Sequence, residues 1–331
     1  MKKTRRDFIS NTSKLSLATA LFSYPLYACA NAAESKETVE VMTSNDLDKS
    51  MFFKISLAQW SLNKAFFSGE LDHLDFAKKT VEDFEIDAIE YVNQFFKDKA
   101  NDKTYLDEMN KRANDHGVTQ LLIMVDGEGG LGDLDDSKRK EAVENHYKWV
   151  EAAKHLGCHS IRVNAYGEGS AEEVAKAAVD GLGSLATFAK DYDLNVIVEN
   201  HGGYSSDGSW LSGVMTSIDL PNCGTLPDFG NFCLERDPSK PWAENCIKEY
   251  DRYQGVEELM RHAKAVSAKT HDFGPDGSES HTDYMKMMKI VQDAGYKGYV
   301  GIEYEGSSLS ADEGILATKR LLEKVGNALS G

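Results

Sequence analysis

The 331-residue sequence predicts an α/β protein whose main body is one closed (β/α)8 barrel. Three observations predict it. From residue 52 onward a short apolar run and a longer amphipathic run alternate eight times, which is the pattern of a parallel sheet with crossover helices. Asp115-His116-Gly117, His155-Leu156-Gly157 and Ala294-Gly295 read as helix C-termini placed just before strands. The first strand ends in QWSLNK, without the glycine-rich phosphate turn that an open, doubly wound sheet usually carries there.

The elements follow in order. KISLAQW (54–60) is the first strand, followed by a helix over Leu71–Phe84. AIEYVNQFF (88–96) precedes a helix around Thr104–His116, and VTQLLIMVDG (118–127) precedes a long one around Ser137–Leu156. SIRVNAYG (160–167) leads into Ala171–Lys190, and NVIVENHGG (195–203) into a short helix near Ser209–Ser217. GTLPDFGNF (224–232) is followed by an irregular stretch and a helix around Gly255–His262. AVSAKTHDFG (265–274) precedes Asp283–Ala294, and GYVGIEYEG (298–306) precedes Ala311–Leu329. One barrel needs about 250 residues, which leaves room for a leader, a linker and loop extensions.

The leader reads as residues 1–32. TRRDFI (4–9) and the apolar stretch from Leu15 to Ala30 resemble a twin-arginine export signal. Ala28-Cys29-Ala30 and Ala30-Asn31-Ala32 both offer small residues for cleavage, while Leu26-Tyr27-Ala28-Cys29 resembles a lipobox that would leave a lipid on Cys29. The product is thus a periplasmic or a lipid-anchored protein. The twin-arginine route carries folded proteins, which suits one that loads a metal before export. Residues 33–51 form a polar linker and 52–331 the catalytic barrel.

Composition narrows the function. Formal net charge is −17, and five basic residues (Lys2, Lys3, Arg5, Arg6, Lys14) lie in the leader, so the mature chain is more acidic still. Such a surface repels nucleic-acid phosphates. No apolar stretch of about 20 residues follows the leader, so no transmembrane helix is expected. The five cysteines form no CxxC pair, which argues against a zinc ribbon. Export would permit a disulfide among Cys223, Cys233 and Cys246, although buried free thiols are the more ordinary outcome.

In such barrels the chemistry sits where strands end, and the last four strands end in metal-type ligands. VIVENHGG places Glu199 and His201 on one face, LPDFGNF offers Asp228 and Asn231, SAKTHDFG puts Lys269 and His271 on one face, and YVGIEYEG does the same for Glu303 and Glu305. One glutamate at one strand tip is ordinarily a salt-bridge partner, and a lone His271 would be an ordinary loop residue. Acid or imidazole at four successive tips is hard to explain that way. Glu199, Asp228, His271 and Glu303 would supply three carboxylates and an imidazole for one divalent ion, Mn2+, Mg2+, Co2+ or Zn2+. Strands five and eight are three apart around the ring, so Glu199 and Glu303 can flank a substrate. Proton abstraction beside a carbonyl fits that arrangement, with an enediolate stabilised at the site. Return of the proton to the opposite face epimerises; return to the neighbouring carbon isomerises.

With IVENHGG, PDFGNF and GYVGIEYEG in place, residues 52–328 resemble the xylose-isomerase-like TIM-barrel superfamily of sugar phosphate isomerases/epimerases, which includes ketose 3-epimerases and hydroxypyruvate isomerase. The resemblance implies that a Glu–Asp–His–Glu set binds the metal and that both glutamates move the proton; those roles fall on Glu199, Asp228, His271 and Glu303. Two departures stand out. Asn231 replaces a substrate-binding histidine, and Lys269 competes with His271 for the ligand position. A lysine ligand would need a strongly depressed pKa, which favours His271. Glu305 is the alternative to Glu303. Gln59, Trp60, Glu90, Arg162, Asn164 and His201 are further substrate-binding candidates, with Trp60 equally readable as core and Arg162 as an internal partner of Glu90. His155 and His159 read as helix-end residues.

The expected function is isomerisation or epimerisation of a small non-phosphorylated sugar or keto-sugar. A metal-dependent sugar lyase or dehydratase is a close variant. A non-catalytic carbohydrate-binding barrel would keep Trp60 but need neither Glu199 nor Glu303. A nuclease like endonuclease IV would need more histidines, and the ends of strands two and three carry none. The sequence leaves the sugar, the metal and any homo-oligomer open.

Overall fold

The computed structural model describes residues 51–240 and 245–331. The signal, nearly all of the linker and Cys29 lie outside the described residues.

Eight parallel strands form the barrel wall: β1 (Lys54–Ala58), β2 (Ala88–Val92), β3 (Thr119–Met124), β4 (Ser160–Val163), β5 (Asn195–Glu199) and β6 (Cys223–Leu226), with two more after an inserted hairpin. That hairpin is β7 (Cys233–Arg236) and β8 (Cys246–Glu249), antiparallel and closed by a Cys233–Cys246 disulfide. The wall resumes with β9 (Val266–Thr270) and β10 (Tyr299–Tyr304). The strand order is β6-β5-β4-β3-β2-β1-β10-β9. The ring closes where the Ser267 amide donates to the Pro227 carbonyl at 2.9 Å and the Phe229 amide to the Ser267 carbonyl at 3.1 Å.

The helices are α1 (Asn63–Ser68), α2 (Phe76–Phe84), α3 (Lys103–Asp115), α4 (Asp136–His155), α5 (Ala171–Lys190), α6 (Gly208–Ile218), α7 (Arg252–Met260), α8 (Tyr284–Asp293) and α9 (Ala311–Leu329). Aspartate or serine caps open most of them. Asp102, Asp135, Asp207, Asp251 and Asp283 each accept from a first-turn amide, and Ser170 and Ser310 form capping boxes with Glu173 and Glu313. Gly117, Gly157 and Gly295 have φ of +68°, +73° and +75°, so each of the three helix stops anticipated from glycine exists.

Alternation along each strand sorts the core into two layers. Ile89, Ile123, Ile161, Val198, Ala268 and Ile302 face outward and pack under the helices. Ala58, Val92, Leu122, Met124, Ile197, Leu226 and Ala265 form a smaller layer inside the ring. Gly301 makes room there: a Cβ on it would come within 2.5 Å of the Glu90 carboxylate.

The structure differs from the sequence reading in three places. The helix expected over Leu71–Phe84 divides into a 3-10 turn (His73–Asp75) and α2, and an unanticipated α1 precedes it. The second strand stops at Val92, because the Asn93 side chain turns to pair with the backbone of Asp126 at 2.9 and 3.0 Å. The irregular stretch after the sixth strand contains the disulfide-closed hairpin, while Cys158 and Cys223 are free and buried.

Candidate active site

Parity along the strands brings the acids together. Val196 and Val198 face the helices, so Ile197 and Glu199 face the axis. Asp228 follows β6, and Glu303 follows Gly301 on the inner face of β10. Ligand atoms of Glu199, Asp228 and Glu303 lie within 4.8 Å of one another, and all three residues are buried.

His271 does not join them, contrary to the sequence expectation. It lies one residue past the end of β9, where its amide reaches the Glu279 carboxylate at 3.3 Å and its ring packs on His281. Lys269 takes the inward position instead. Its ammonium lies 3.3 Å from Glu303, 3.4 Å from Glu305 and 3.8 Å from Asp228. Burial opposes that charge, but the three carboxylates outweigh it and hold the lysine well above its ordinary pKa. Lys269 is therefore a fixed cation, and a neutral amine ligand is the wrong description of it.

Arg162 joins the opposite side. Its guanidinium lies 2.7 Å from Glu199 and 2.9 Å from Asp126. The contact with Glu199 is a close ion pair without hydrogen-bond alignment, since neither Nε nor Oε2 has a directed partner. Glu90 instead accepts from Ser56 at 2.7 Å. Asn231 donates to Glu199 at 2.9 Å. His201 lies at the rim, its Nδ1 2.6 Å from the Tyr166 hydroxyl. Burial, then Arg162 and Lys269, press the His201 pKa down to about 4, so its ring is neutral near pH 7.

Asp126, which the sequence reading passed over, is a central member. It accepts from Arg162 and from Asn164 at 2.6 Å, and although burial opposes its charge these partners pull its pKa to about 2. The signal is the VDG ending of the third strand, an acid at a strand tip. Ser267 was missed as well. Its hydroxyl lies 2.7 Å from Asp228 and 3.0 Å from Glu303. A hydroxyl has one proton, so it can donate to only one of the two acids.

Six carboxyl groups (Glu90, Asp126, Glu199, Asp228, Glu303, Glu305) thus face two fixed cations, Arg162 and Lys269. Burial accordingly raises the pKa of Glu90 to about 7 and pushes those of Asp228 and Glu303 upward, so protons take up part of the excess charge. Glu305 goes the other way: burial opposes its charge, but Lys269 and His271 keep it below the ordinary carboxylate range. A divalent cation among Glu199, Asp228 and Glu303 would replace those protons, so the residues fit a metal. Oxygen donors without imidazole suit Mg2+ or Mn2+ better than Zn2+ or Co2+.

Around these residues five buried polar atoms have no hydrogen-bond partner: Gln59 Nε2, Glu90 Oε2, Arg162 Nε, Asn164 Oδ1 and Glu199 Oε2. Such atoms are costly unless something docks against them.

Residues 79–325 match the family model for the xylose isomerase-like TIM barrel. The chain belongs to the xylose isomerase-like TIM-barrel family. No curated protein sequence matches it. Among solved structures this family member resembles a D-psicose 3-epimerase crystallised with D-fructose, at 12% identity and TM-score 0.62, covering 83% of this chain and 100% of that one. It also resembles a 3-keto-D-glucoside 4-epimerase from E. coli, at 14% identity and TM-score 0.58, covering 83% and 100%. A xylose isomerase-like TIM-barrel protein from Mycobacterium smegmatis in complex with magnesium matches at 14% identity and TM-score 0.59, covering 84% and 98%. At these identities the likeness establishes the fold.

Proposed function

We propose that this chain is a sugar isomerase or epimerase that moves a proton beside a carbonyl of a non-phosphorylated sugar. The observation that carries the reading is the convergence of Glu199, Asp228 and Glu303 within 4.8 Å at the barrel mouth. The family membership and the epimerases among its structural relatives support it.

Glu199, Asp228 and Glu303 would hold one divalent ion, which when bound supplies polarisation of the substrate carbonyl and adjacent hydroxyl. Glu199 removes the carbon-bound proton, the C–H electron pair becomes the new C=C bond, and the carbonyl π pair moves onto oxygen to give an enediolate. Glu303, the other glutamate of the group, would return a solvent-derived proton to the other face or to the neighbouring carbon. The Lys269 ammonium sits where negative charge develops and offsets it. Arg162, held by Asp126, orients Glu199. The excess of acids also disfavours a phosphorylated substrate. The magnesium complex among the relatives supports a hard ion. The disulfide supports export to an oxidising compartment, as the twin-arginine-like leader implies.

Deuterium incorporation from solvent into candidate keto-sugars tests the reaction. Exchange at a carbon beside the carbonyl is expected, and E199Q and E303Q should each lower it by about 10²–10⁴-fold with the fold intact by circular dichroism. Full exchange in both variants would refute the assignment.

A further inference from the structure

Beside the acids lies a feature that proton transfer does not use. Trp60 follows β1 and Phe95 follows β2, and both pack on the inner apolar layer, so they roof the barrel at its mouth. Their rings are stacked at 6.2 Å. Phe67 of α1 meets Phe95 edge-on at 5.0 Å and Trp60 at 6.0 Å, yet it is 60% exposed. Phe66 pins the assembly from behind, 4.8 Å from Phe95 and 5.9 Å from the buried Phe76. A large aromatic ring left this open on a packed shelf forfeits burial that a ligand could supply.

The shelf is continuous with the proposed reacting centre. The Trp60 side chain makes a polar contact with Glu305, which touches Lys269. Gln59, next to Trp60, accepts from the Val92 amide at 2.9 Å beneath the shelf and leaves its own amide nitrogen buried without a partner. An apolar wall with one unpaired donor at its base is the composition of a carbohydrate or aryl subsite. Arg162 and Lys269, the fixed cations of the centre, are already paired with carboxylates, so the composition is unsuited to a phosphate.

We propose that Trp60, Phe67 and Phe95 form a subsite for a second ring, so that the substrate is an uncharged glycoside that carries a ketone on the ring at the acids and whose non-reacting ring lies on this shelf. The proposal rests on the carbohydrate reading of the mouth and adds the substrate class. A free monosaccharide at the acids would leave Phe67 uncovered, whereas a glycoside buries it. The bulky ring then contributes binding energy remote from the bond being changed.

Isothermal titration with p-nitrophenyl and methyl glycosides of glucose, galactose and xylose, and with glucose 6-phosphate, tests it. At least one p-nitrophenyl glycoside should bind about 10-fold tighter than its methyl partner, or about 1.4 kcal/mol, and glucose 6-phosphate should bind weakest. F67A should erase the aryl preference, and F67L should retain part of it. Four results overturn the proposal: no aryl glycoside binds, the aryl and methyl forms bind equally, F67A leaves the preference intact, or the sugar phosphate binds tightest. Loss of self-association in F67A by sedimentation, with glycoside binding unchanged, would assign the shelf to a second copy and overturn it too. Phe67 touches no reacting group, so deuterium exchange into D-fructose is read separately. Exchange retained alongside a failed glycoside preference sinks the subsite and leaves the isomerase reading standing.

Discussion

Lys269 governs the charge balance of the site, because its ammonium faces Glu303, Glu305 and Asp228 at once. Removing one partner of a buried ion pair leaves the others uncompensated and costs about 3–5 kcal/mol. K269M should therefore lower the urea midpoint by a comparable stability loss at pH 7, and an unchanged midpoint would show that the lysine is dispensable to the charge balance. Glu90 makes a pH-dependent contribution. Its folded pKa of about 7 lies above the ordinary 4.5, so the folded state holds the proton more tightly. Its contribution is complete below pH 4.5 and is lost as pH rises through 7, amounting to about 3 kcal/mol at most. Urea titrations of E90Q and the parent at pH 5 and 8 should show a smaller loss of stability with rising pH in the variant. At this scale the sequence was informative where side-chain parity decides position. Glu199, Asp228 and Glu303 converge as their strand positions implied. It was uninformative where two candidates two residues apart compete, as with Lys269 and His271.

At the scale of elements, the β7–β8 hairpin is the main addition to a plain barrel. It begins two residues after Asn231, whose amide contacts Glu199. The disulfide ties Cys233 to Cys246 across a separation of 13 residues, and closing a loop of this size stabilises by roughly 3 kcal/mol in the chain-entropy model. C233S/C246S should be cut by trypsin within 233–249 under conditions where the parent resists, with the barrel itself left intact. Equal resistance would mean that the hairpin holds without its bridge. Neither the hairpin nor α1 was legible in the sequence. Each is too short to show a period, and a disulfide pairing is set by tertiary distance and not by cysteine spacing. The glycine stops were legible, because Gly-based helix termini are local chemistry.

Across the whole molecule, eight parallel strands supply the wall, and the ends of the fifth, sixth and eighth supply Glu199, Asp228 and Glu303. No helix among the described residues is long and apolar enough to cross a membrane. A cation bound by three carboxylates stabilises the folded state by mass action, about 2.7 kcal/mol at 100 times its Kd. Exhaustive dialysis against EDTA should lower Tm, and Mg2+ or Mn2+ should restore it in the parent but not in D228N. A Tm indifferent to chelator and metal would argue that protons and Lys269 alone balance the site.

The sequence by itself determined the barrel and the acids at its mouth. Strand alternation has a period of two and helix boundaries carry their own signals, so both are written in neighbouring residues. Tertiary structure decided which group beside those acids carries positive charge. The β9 ladder ends at Thr270, so Lys269 is held inward by pairing with β10, whereas His271 is released toward Glu279 and His281. It also decided that Asp126 and Arg162 brace Glu199 and that Trp60, Phe67 and Phe95 form one shelf. Those contacts join residues from separate strands and loops, and only closure of the ring sets the distances between them.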